Sequence, residues 1–152
     1  MQEVSHEYFM REALKEAQRA FEMDEVPIGA VVVKDGRVIA RAHNMREITQ
    51  DATAHAEVLA IRQACEAVGL WRLIGCSLYV TLEPCPMCAG AIILARLDRV
   101  VFGAWDPKAG AAGSVVDLFG VERFNHHPEV VPGVLAEECS SLLKEFFRKK
   151  RL

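Results

Sequence analysis

The sequence has no long hydrophobic run. Its longest stretch without a charged residue is the twelve residues from Pro84 to Ala95, whereas a helix needs about 20 apolar residues to cross a bilayer. We therefore predict that no segment spans a membrane. A secretory signal is also missing, because Glu3 and Glu7 stand where such a signal has basic residues and then an apolar run. We expect a cytoplasmic protein.

An excess of positive charge is missing as well. The chain has 18 basic and 21 acidic residues, which give a net charge of −3. This balance argues against a protein that coats nucleic acid non-specifically. The exception is the run of four cations from Arg148 to Arg151. Such a run is typical either of a contact with an anionic partner or of a solvated helix end.

The sequence also lacks the even number of cysteines that a full set of disulfide bonds would require. The chain has five cysteines and no export signal, so disulfide bonds explain them poorly, and metal binding or burial explains them better. The five are Cys65, Cys76, Cys85, Cys88 and Cys139.

No repeat, low-complexity segment or Gly/Ser/Pro-rich linker divides the 152 residues, and 51% of them are apolar. These features predict a single domain over residues 1–152. Apolar periodicity and turn residues predict helices over residues 5–23, 53–68, 87–95 and 135–149, strands over 28–33, 38–42, 77–82 and 99–103, and a surface loop over 104–113. The strand–helix–strand order predicts a parallel crossover and an α/β fold with helices on the faces of a sheet.

One motif combines cysteines with a helix start. The segment Pro84-Cys85-Pro86-Met87-Cys88 follows the strand that ends near Leu82 and begins the next predicted helix. Two cysteines three residues apart in a first helical turn face the same side, and the free N–H groups there stabilise thiolates. Thiolates bind metals, so we interpret the pair as metal ligands. Thiol–disulfide exchange is the alternative.

A His-x-Glu motif supplies a third ligand. His55-Ala56-Glu57 lies at the start of a predicted helix, whereas the second copy, His127-Pro128-Glu129, is predicted to lie in an extended loop because a residue before proline avoids the helical region. His55, Cys85 and Cys88 leave one position of a tetrahedral zinc ion open, which is the catalytic pattern. For the other cysteines we predict burial. Glu57 is then free to act as general acid and base on water activated by the metal.

These motifs resemble those of the zinc-dependent nucleobase deaminases, and the wider match is to the tRNA-specific adenosine deaminases. The segments that carry this resemblance are residues 25–30, 81–85, 88–91, 100–103, 108–114 and 146–148. The resemblance implies a CMP/dCMP-type deaminase domain with a three-layer α/β/α cytidine-deaminase-like fold, in which helices flank a central mixed five-stranded sheet. It also implies hydrolysis of adenosine to inosine, with release of ammonia, at the wobble position of an arginine tRNA by a homodimer with one Zn²⁺ per subunit.

The resemblance further implies roles for individual residues. Asn44 would hydrogen-bond the target base, Val26 and Pro27 would contact the substrate, and backbone N–H groups around Ala56 and Cys85 would orient the water and the base. Contacts with the tRNA anticodon stem-loop would come from Asp106, Lys108, Asn125, Phe147 and Arg148. This chain departs from the family at Trp105, where arginine is common, and at Ala42-His43, where Gly-Trp is common. Both departures concern contacts with RNA and not the zinc ligands.

Two other functions compete with this one. The same chemistry would serve a deaminase of free cytosine, cytidine or guanine, and the same metal site would serve a zinc-stabilised RNA-binding module without catalysis. The net charge of −3 is compatible with an RNA substrate. An anticodon base is already unpaired, so a few stacking and phosphate contacts suffice to extract it.

Overall fold

The structure is a computed structural model that describes residues 5–150. Arg151, the last cation of the basic run, lies outside the described residues. Over these residues the structure has five strands and five α-helices, in the order α1 (His6–Glu22), β1 (Gly29–Lys34), β2 (Arg37–His43), α2 (Arg46–Thr49), α3 (Ala56–Val68), β3 (Cys76–Leu82), α4 (Pro86–Leu94), β4 (Arg99–Ala104), β5 (Glu129–Val131) and α5 (Ala136–Lys150), with a 3₁₀ turn at Leu118–Gly120 before β5.

The strands form one mixed sheet in the order β2-β1-β3-β4-β5. Strand β1 pairs antiparallel with both β2 and β3, whereas β3, β4 and β5 run parallel. Helix α4 connects the parallel neighbours β3 and β4, which confirms the predicted crossover. The carboxyl ends of β3 and β4 therefore meet at one edge of the sheet.

Helices cover both faces of the sheet because the side chains of its strands alternate. Ala30 and Val32 of β1 face a core shared with α3 and α4, while Val31 and Val33 face a second core. The second core takes Met10 and other residues of α1, together with a buried cysteine of α5. This arrangement is the predicted three-layer α/β/α fold.

The β1–β2 turn follows the sequence prediction closely. Asp35 and Gly36 both have positive φ angles, 52° and 75°, as a two-residue hairpin turn requires. Among the described helices, none combines the length and apolar character that a bilayer crossing demands.

Three elements differ from the sequence prediction. The one-turn helix α2 and the three-residue strand β5 are too short to produce a hydrophobic period. The segment predicted as a surface loop over 104–113 is partly internal, since Ala104 ends β4 and both Gly110 and Ala111 are buried.

Candidate active site

Two helix N-termini on the same face of the sheet bring three metal-ligating side chains together. His55 is the N-cap residue of α3, Cys85 is the N-cap residue of α4, and Cys88 lies in the first turn of α4. Pro86 occupies the first helical position of α4, where its missing N–H costs no hydrogen bond. His55 and Cys85 are half-buried and Cys88 is fully buried.

The distances between these side chains fit a zinc ion. Nδ1 of His55 lies 3.6 Å from Sγ of Cys85 and 3.5 Å from Sγ of Cys88. Tetrahedral zinc, with bonds of about 2.3 Å to sulfur and about 2.0–2.1 Å to nitrogen, requires an N···S separation of about 3.6 Å. Within residues 5–150, no other group of three His, Cys, Asp or Glu side chains has this geometry, and no fourth such ligand joins the three.

The remaining cysteines and the second His-x-Glu motif lie elsewhere. Cys76 and Cys139 are buried and Cys65 is half-buried, and none of them joins the cluster. Glu129, at the start of β5, forms an ion pair of 2.8 Å with Arg99.

The pKa values of the three metal-ligating side chains show how they would ionise in the absence of a metal ion. Hydrogen bonds from Cys88 and His55 lower the pKa of Cys85 to about 4, and the hydrogen bond to Cys85 raises the pKa of His55. The same contact with Cys85, together with burial, raises the pKa of Cys88. A bound metal ion offsets that last effect, because a coordinating thiol loses its proton.

Glu57 lies beside the cluster without joining it. It is in the first turn of α3, only 4% exposed, and it lines the same cavity as His55 and Cys85. Burial raises the pKa of Glu57 to about 7. A carboxyl group with a pKa close to the operating pH is suited to both accept and release a proton.

Asn44 is fixed by the start of α3. It follows directly after β2, is 2% exposed, and its Oδ1 accepts a hydrogen bond of 2.9 Å from the backbone N–H of Ala56. The Oδ1 atom is thereby committed, so the Nδ2 group is the one that remains to donate to an acceptor in the cavity. Asn44 thus presents a hydrogen-bond donor beside the cluster.

A cavity of about 710 Å³ opens above these residues. We call its floor, lined by Asn44, His55, Glu57 and Cys85, together with the fully buried Cys88 that contacts His55, the inner pocket. Its upper walls contain three cations and two exposed aromatic side chains, which we call the outer rim: Arg46, Trp105, Lys108, Lys144 and Phe147. Within the described chain, none of the three cations is in a salt bridge.

Some of the contact residues predicted from the sequence line the cavity, and others do not. Val26, Asp106, Lys108 and Phe147 line the cavity, as do His55, Glu57, Cys85 and Asn44. Pro27 is buried and its neighbour Ile28 lines the cavity instead. The N–H of Ala56 donates to Asn44 and is therefore not directed at the substrate.

Two further predicted contacts lie outside the cavity. Arg148 is exposed on α5, where Lys144 and Phe147 face the cavity in its place. Asn125 is exposed, and the adjacent His126 hydrogen-bonds the carbonyl of Leu97, 2.6 Å away. Leu97 precedes β4, whereas the cavity lies beyond the other end of that strand, so Asn125 does not line the cavity and its contact with the anticodon stem-loop stays a prediction.

Three charged residues at the site were given no role in the sequence prediction, namely Arg46, Glu83 and Lys144, and Trp105 was named only as a departure from the family. Lys144 lies three residues from Phe147 on α5, and this helical spacing is a signal that places both on one face. Trp105 directly follows β4, and the carboxyl ends of parallel strands are where ligand sites form. Arg46 lies on the one-turn helix α2, which no sequence period indicates.

Glu83 is buried with its carboxylate fully engaged. Burial by itself raises the pKa of a carboxyl group, but hydrogen bonds from the backbone N–H groups of Asp106, Ala112 and Ser114 and from the Ser114 hydroxyl outweigh it and lower the pKa of Glu83. Glu83 is therefore a buried carboxylate two residues before the ligand Cys85.

Comparisons with known proteins find relatives of this chain among deaminases. A family model described as MafB19-like deaminase matches residues 4–151. The chain is 60% identical over 145 residues to a tRNA-specific adenosine deaminase of Bacillus subtilis (strain 168), covering 95% of this chain and 90% of that one. It is 54% identical over 145 residues to a tRNA-specific adenosine deaminase of Agrobacterium fabrum (strain C58), covering 95% of each. A solved structure from a study of A-to-I editing by tRNA:A34 deaminases at the wobble position of transfer RNA matches with a TM-score of 0.86 and 54% identity, covering 90% of this chain and 99% of that chain.

Proposed function

The chain belongs to the MafB19-like deaminase family, and we propose that it is an enzyme that converts adenosine to inosine at the wobble position of a tRNA, with an arginine tRNA as substrate. The observation that carries the proposal is the inner pocket. The buried carboxyl group of Glu57 lies beside three side chains that can bind one metal ion. The chain is also 60% identical to a tRNA-specific adenosine deaminase.

The proposed reaction exchanges an amino group for oxygen at C6 of adenine. Zinc, when held by His55, Cys85 and Cys88, supplies the Lewis acid that activates water near neutral pH. The water oxygen forms a bond to C6, the bond between C6 and the amino nitrogen breaks, and ammonia leaves. Glu57 takes one proton from water and delivers it to ring N1, then takes the second proton from the oxygen now bonded to C6 and delivers it to the departing amine.

Other residues of the inner pocket orient the base. The Nδ2 group of Asn44 donates to a ring nitrogen while Ala56 holds its Oδ1. Because the amide cannot rotate without breaking that 2.9 Å bond, the donor is directed before the substrate arrives. The pocket therefore positions C6 by a hydrogen bond to the ring rather than by contacts with the leaving amine.

The outer rim suits an unpaired RNA loop. Trp105 and Phe147 are 49% and 44% exposed, which leaves their rings available to stack on bases. Arg46, Lys108 and Lys144 come from three separate segments around one opening, where they meet phosphates of a looped strand. A free nucleobase has no phosphate for these cations.

The test is a direct assay of purified protein on an unmodified arginine-tRNA anticodon stem-loop with adenosine at the wobble position. We expect inosine, detected by mass spectrometry of the digested RNA, and an equal amount of ammonia. The matched control carries the adenosine one position further along the loop and should remain unmodified. Conversion of free adenosine, cytidine, cytosine or guanine without conversion of the stem-loop would contradict the proposed substrate.

A homodimer is supported by the outer face of α4. Met87, Gly90, Ala91 and Leu94 follow helical spacing along this face, which carries no charge, and Leu94 is 69% exposed. A helix that is apolar on all sides requires a second covering surface. We expect light scattering to give twice the 16.9 kDa chain mass, and Leu94→Glu to give the monomer. Tyr8→Glu, on α1 across the sheet, is the control that should remain dimeric.

The same proposal includes one zinc ion per subunit and a cytoplasmic location, where tRNA is available to the enzyme. Metal analysis of purified protein tests the first. Fractionation of cells and sequencing of their tRNA for inosine, with and without the protein, test the second.

A further inference from the structure

Glu83 connects the metal-binding segment to one wall of the cavity. It lies between the end of β3 and Cys85 and is 2% exposed. Its Oε1 accepts a hydrogen bond of 2.8 Å from the N–H of Asp106, and its Oε2 accepts bonds of 2.9 Å from Ala112 and 3.0 Å from Ser114. The Ser114 hydroxyl also donates to Oε1.

These donors span the segment 106–114, which we call the clasped loop. The loop turns tightly at its start, because Asp106 Oδ1 accepts from the N–H groups of Lys108 and Ala109 at 3.1 and 3.3 Å. Asp106 and Lys108 both line the cavity. The carboxylate of Glu83 thus holds both ends of the segment that presents Lys108 to the substrate.

The loop approaches Glu83 so closely that only glycine fits at position 110. A Cβ added to Gly110 would lie 2.2 Å from Cδ of Glu83. The next residue, Ala111, donates a hydrogen bond of 2.8 Å to the carbonyl of Pro84. The backbone of the clasped loop is therefore fixed against the residues that lead directly into Cys85.

We propose that Glu83 is a positioning residue that holds the clasped loop in its substrate-binding conformation before the substrate arrives. The inference rests on the proposed function for the identity of the substrate. Residues 105–117 contain no helix or strand, and a long loop without its own regular structure is costly to order on binding. Glu83 removes that cost by ordering the loop in the free protein, so its effect appears in substrate binding.

Two variants disturb the loop from opposite sides. Glu83→Gln replaces one acceptor oxygen with an NH₂ group that faces backbone donors, and Gly110→Ala pushes the loop away from an intact Glu83. For both we expect KM for the stem-loop to rise about tenfold while kcat changes less than about threefold. Ser114→Ala removes only the hydroxyl contact and should raise KM about threefold.

Hydrogen exchange provides a readout that needs no substrate. In Glu83→Gln, the amides of Asp106, Ala112 and Ser114 should exchange about tenfold faster, because one of the two acceptor oxygens becomes an NH₂ group and the side chain no longer holds both ends of the loop. Glu16→Gln is the matched control. Glu16 is also 2% exposed, but it pairs with Arg19 and Arg41 and does not line the cavity, and its replacement should alter neither KM nor these amides.

The outcomes separate this inference from the proposed function. Wild-type protein that deaminates another substrate but not the stem-loop contradicts the proposed function, and KM is then compared on the substrate it does deaminate. Unchanged exchange at the three amides, faster exchange with wild-type KM, or loss of zinc from Glu83→Gln each overturns the inference. Agreement between Glu83→Gln and Gly110→Ala in both KM and exchange supports it.

Discussion

Residues of the inner pocket are buried or half-buried and lie in the first turns of helices or directly beside the ends of helices and strands, whereas those of the outer rim are largely exposed and come from a loop, a one-turn helix and the last helix. Within the inner pocket, the N-termini of α3 and α4 set the positions of His55 and Cys85. On the rim, Lys108 and Lys144 project into solvent-accessible space from separate parts of the chain.

This difference assigns separate tasks to the two regions. Buried groups interact strongly because water does not screen them, so the inner pocket determines the metal and the rate of the chemical step. Exposed cations each contribute little and are screened by salt, so the rim determines affinity for the substrate. Substitutions in the inner pocket should therefore change kcat or zinc content, and substitutions on the rim should change KM and its dependence on salt.

The largest effect is expected from removing a metal ligand. Cys88→Ala leaves only His55 and Cys85 in the cluster, and two protein ligands bind zinc poorly. We expect zinc analysis to give far less than one equivalent and inosine formation to fall to the uncatalysed background. The matched control is Cys139→Ala, which removes another buried thiol. This variant should retain one equivalent of zinc. Full zinc content in Cys88→Ala would show that the metal binds elsewhere.

Glu57→Gln should have the next largest effect. Glutamine keeps the shape of the buried side chain but carries no exchangeable acid proton, so proton transfer to N1 and to the amine is lost. We expect kcat to fall at least about 10²-fold, while zinc content stays at one equivalent and the stem-loop still binds. A variant with wild-type kcat would remove Glu57 from the reaction, whereas wild-type protein that binds the stem-loop and forms no inosine would favour a zinc-stabilised RNA-binding module.

The inner pocket was largely predictable from the sequence, and the reason is chemical. A metal site requires particular residue types, and helix starts place them, so Cys85, Cys88 and His55 were recognisable from local spacing and the predicted elements alone. The copy at His127-Pro128-Glu129 was set aside because a residue before proline avoids the helical region, which predicted an extended loop there.

The outer rim was much less predictable, because its residues converge from distant segments without a shared local pattern. Arg46 and Trp105 become neighbours of the cavity only through the sheet topology. Asn125 was expected from family resemblance and lies beyond the opposite end of β4. Glu83 was hidden for another reason: its partners are backbone N–H groups, which any residue sequence carries.

Substitutions at Asn44 separate its structural role, the hydrogen bond to Ala56, from its role in binding the base. Asn44→Ala removes the donor to the base and leaves the Ala56 N–H without its acceptor, so we expect kcat/KM to fall about 10- to 100-fold and stability to fall by about 1–3 kcal/mol. Asn44→Asp restores the acceptor for Ala56 but has no donor. It should regain stability in denaturant unfolding without regaining kcat/KM, and recovery of both would show that Asn44 only supports α3.

The smallest effect is expected on the rim, from Lys144→Ala. Lys144 faces the cavity from α5 next to Phe147 and has no salt bridge within the described residues. If it meets one phosphate of the loop, its loss should raise KM a few-fold at low salt and leave kcat unchanged. The slope of log affinity against log salt concentration should decrease by about 0.7, the value for one single-stranded phosphate contact.

The dependence of affinity on salt concentration distinguishes a phosphate contact of Lys144 from a role in packing. A lysine that only supports packing would change KM by the same amount at every salt concentration, whereas a phosphate contact releases a counterion and loses its effect as salt rises. Lys34→Ala is the control, because Lys34 pairs with Cys76 at the end of the sheet opposite the cavity and should leave the slope unchanged. An unchanged slope in Lys144→Ala would mean that the rim selects its substrate by shape and stacking on Trp105 and Phe147, and that the rim cations contribute no phosphate contact at this position.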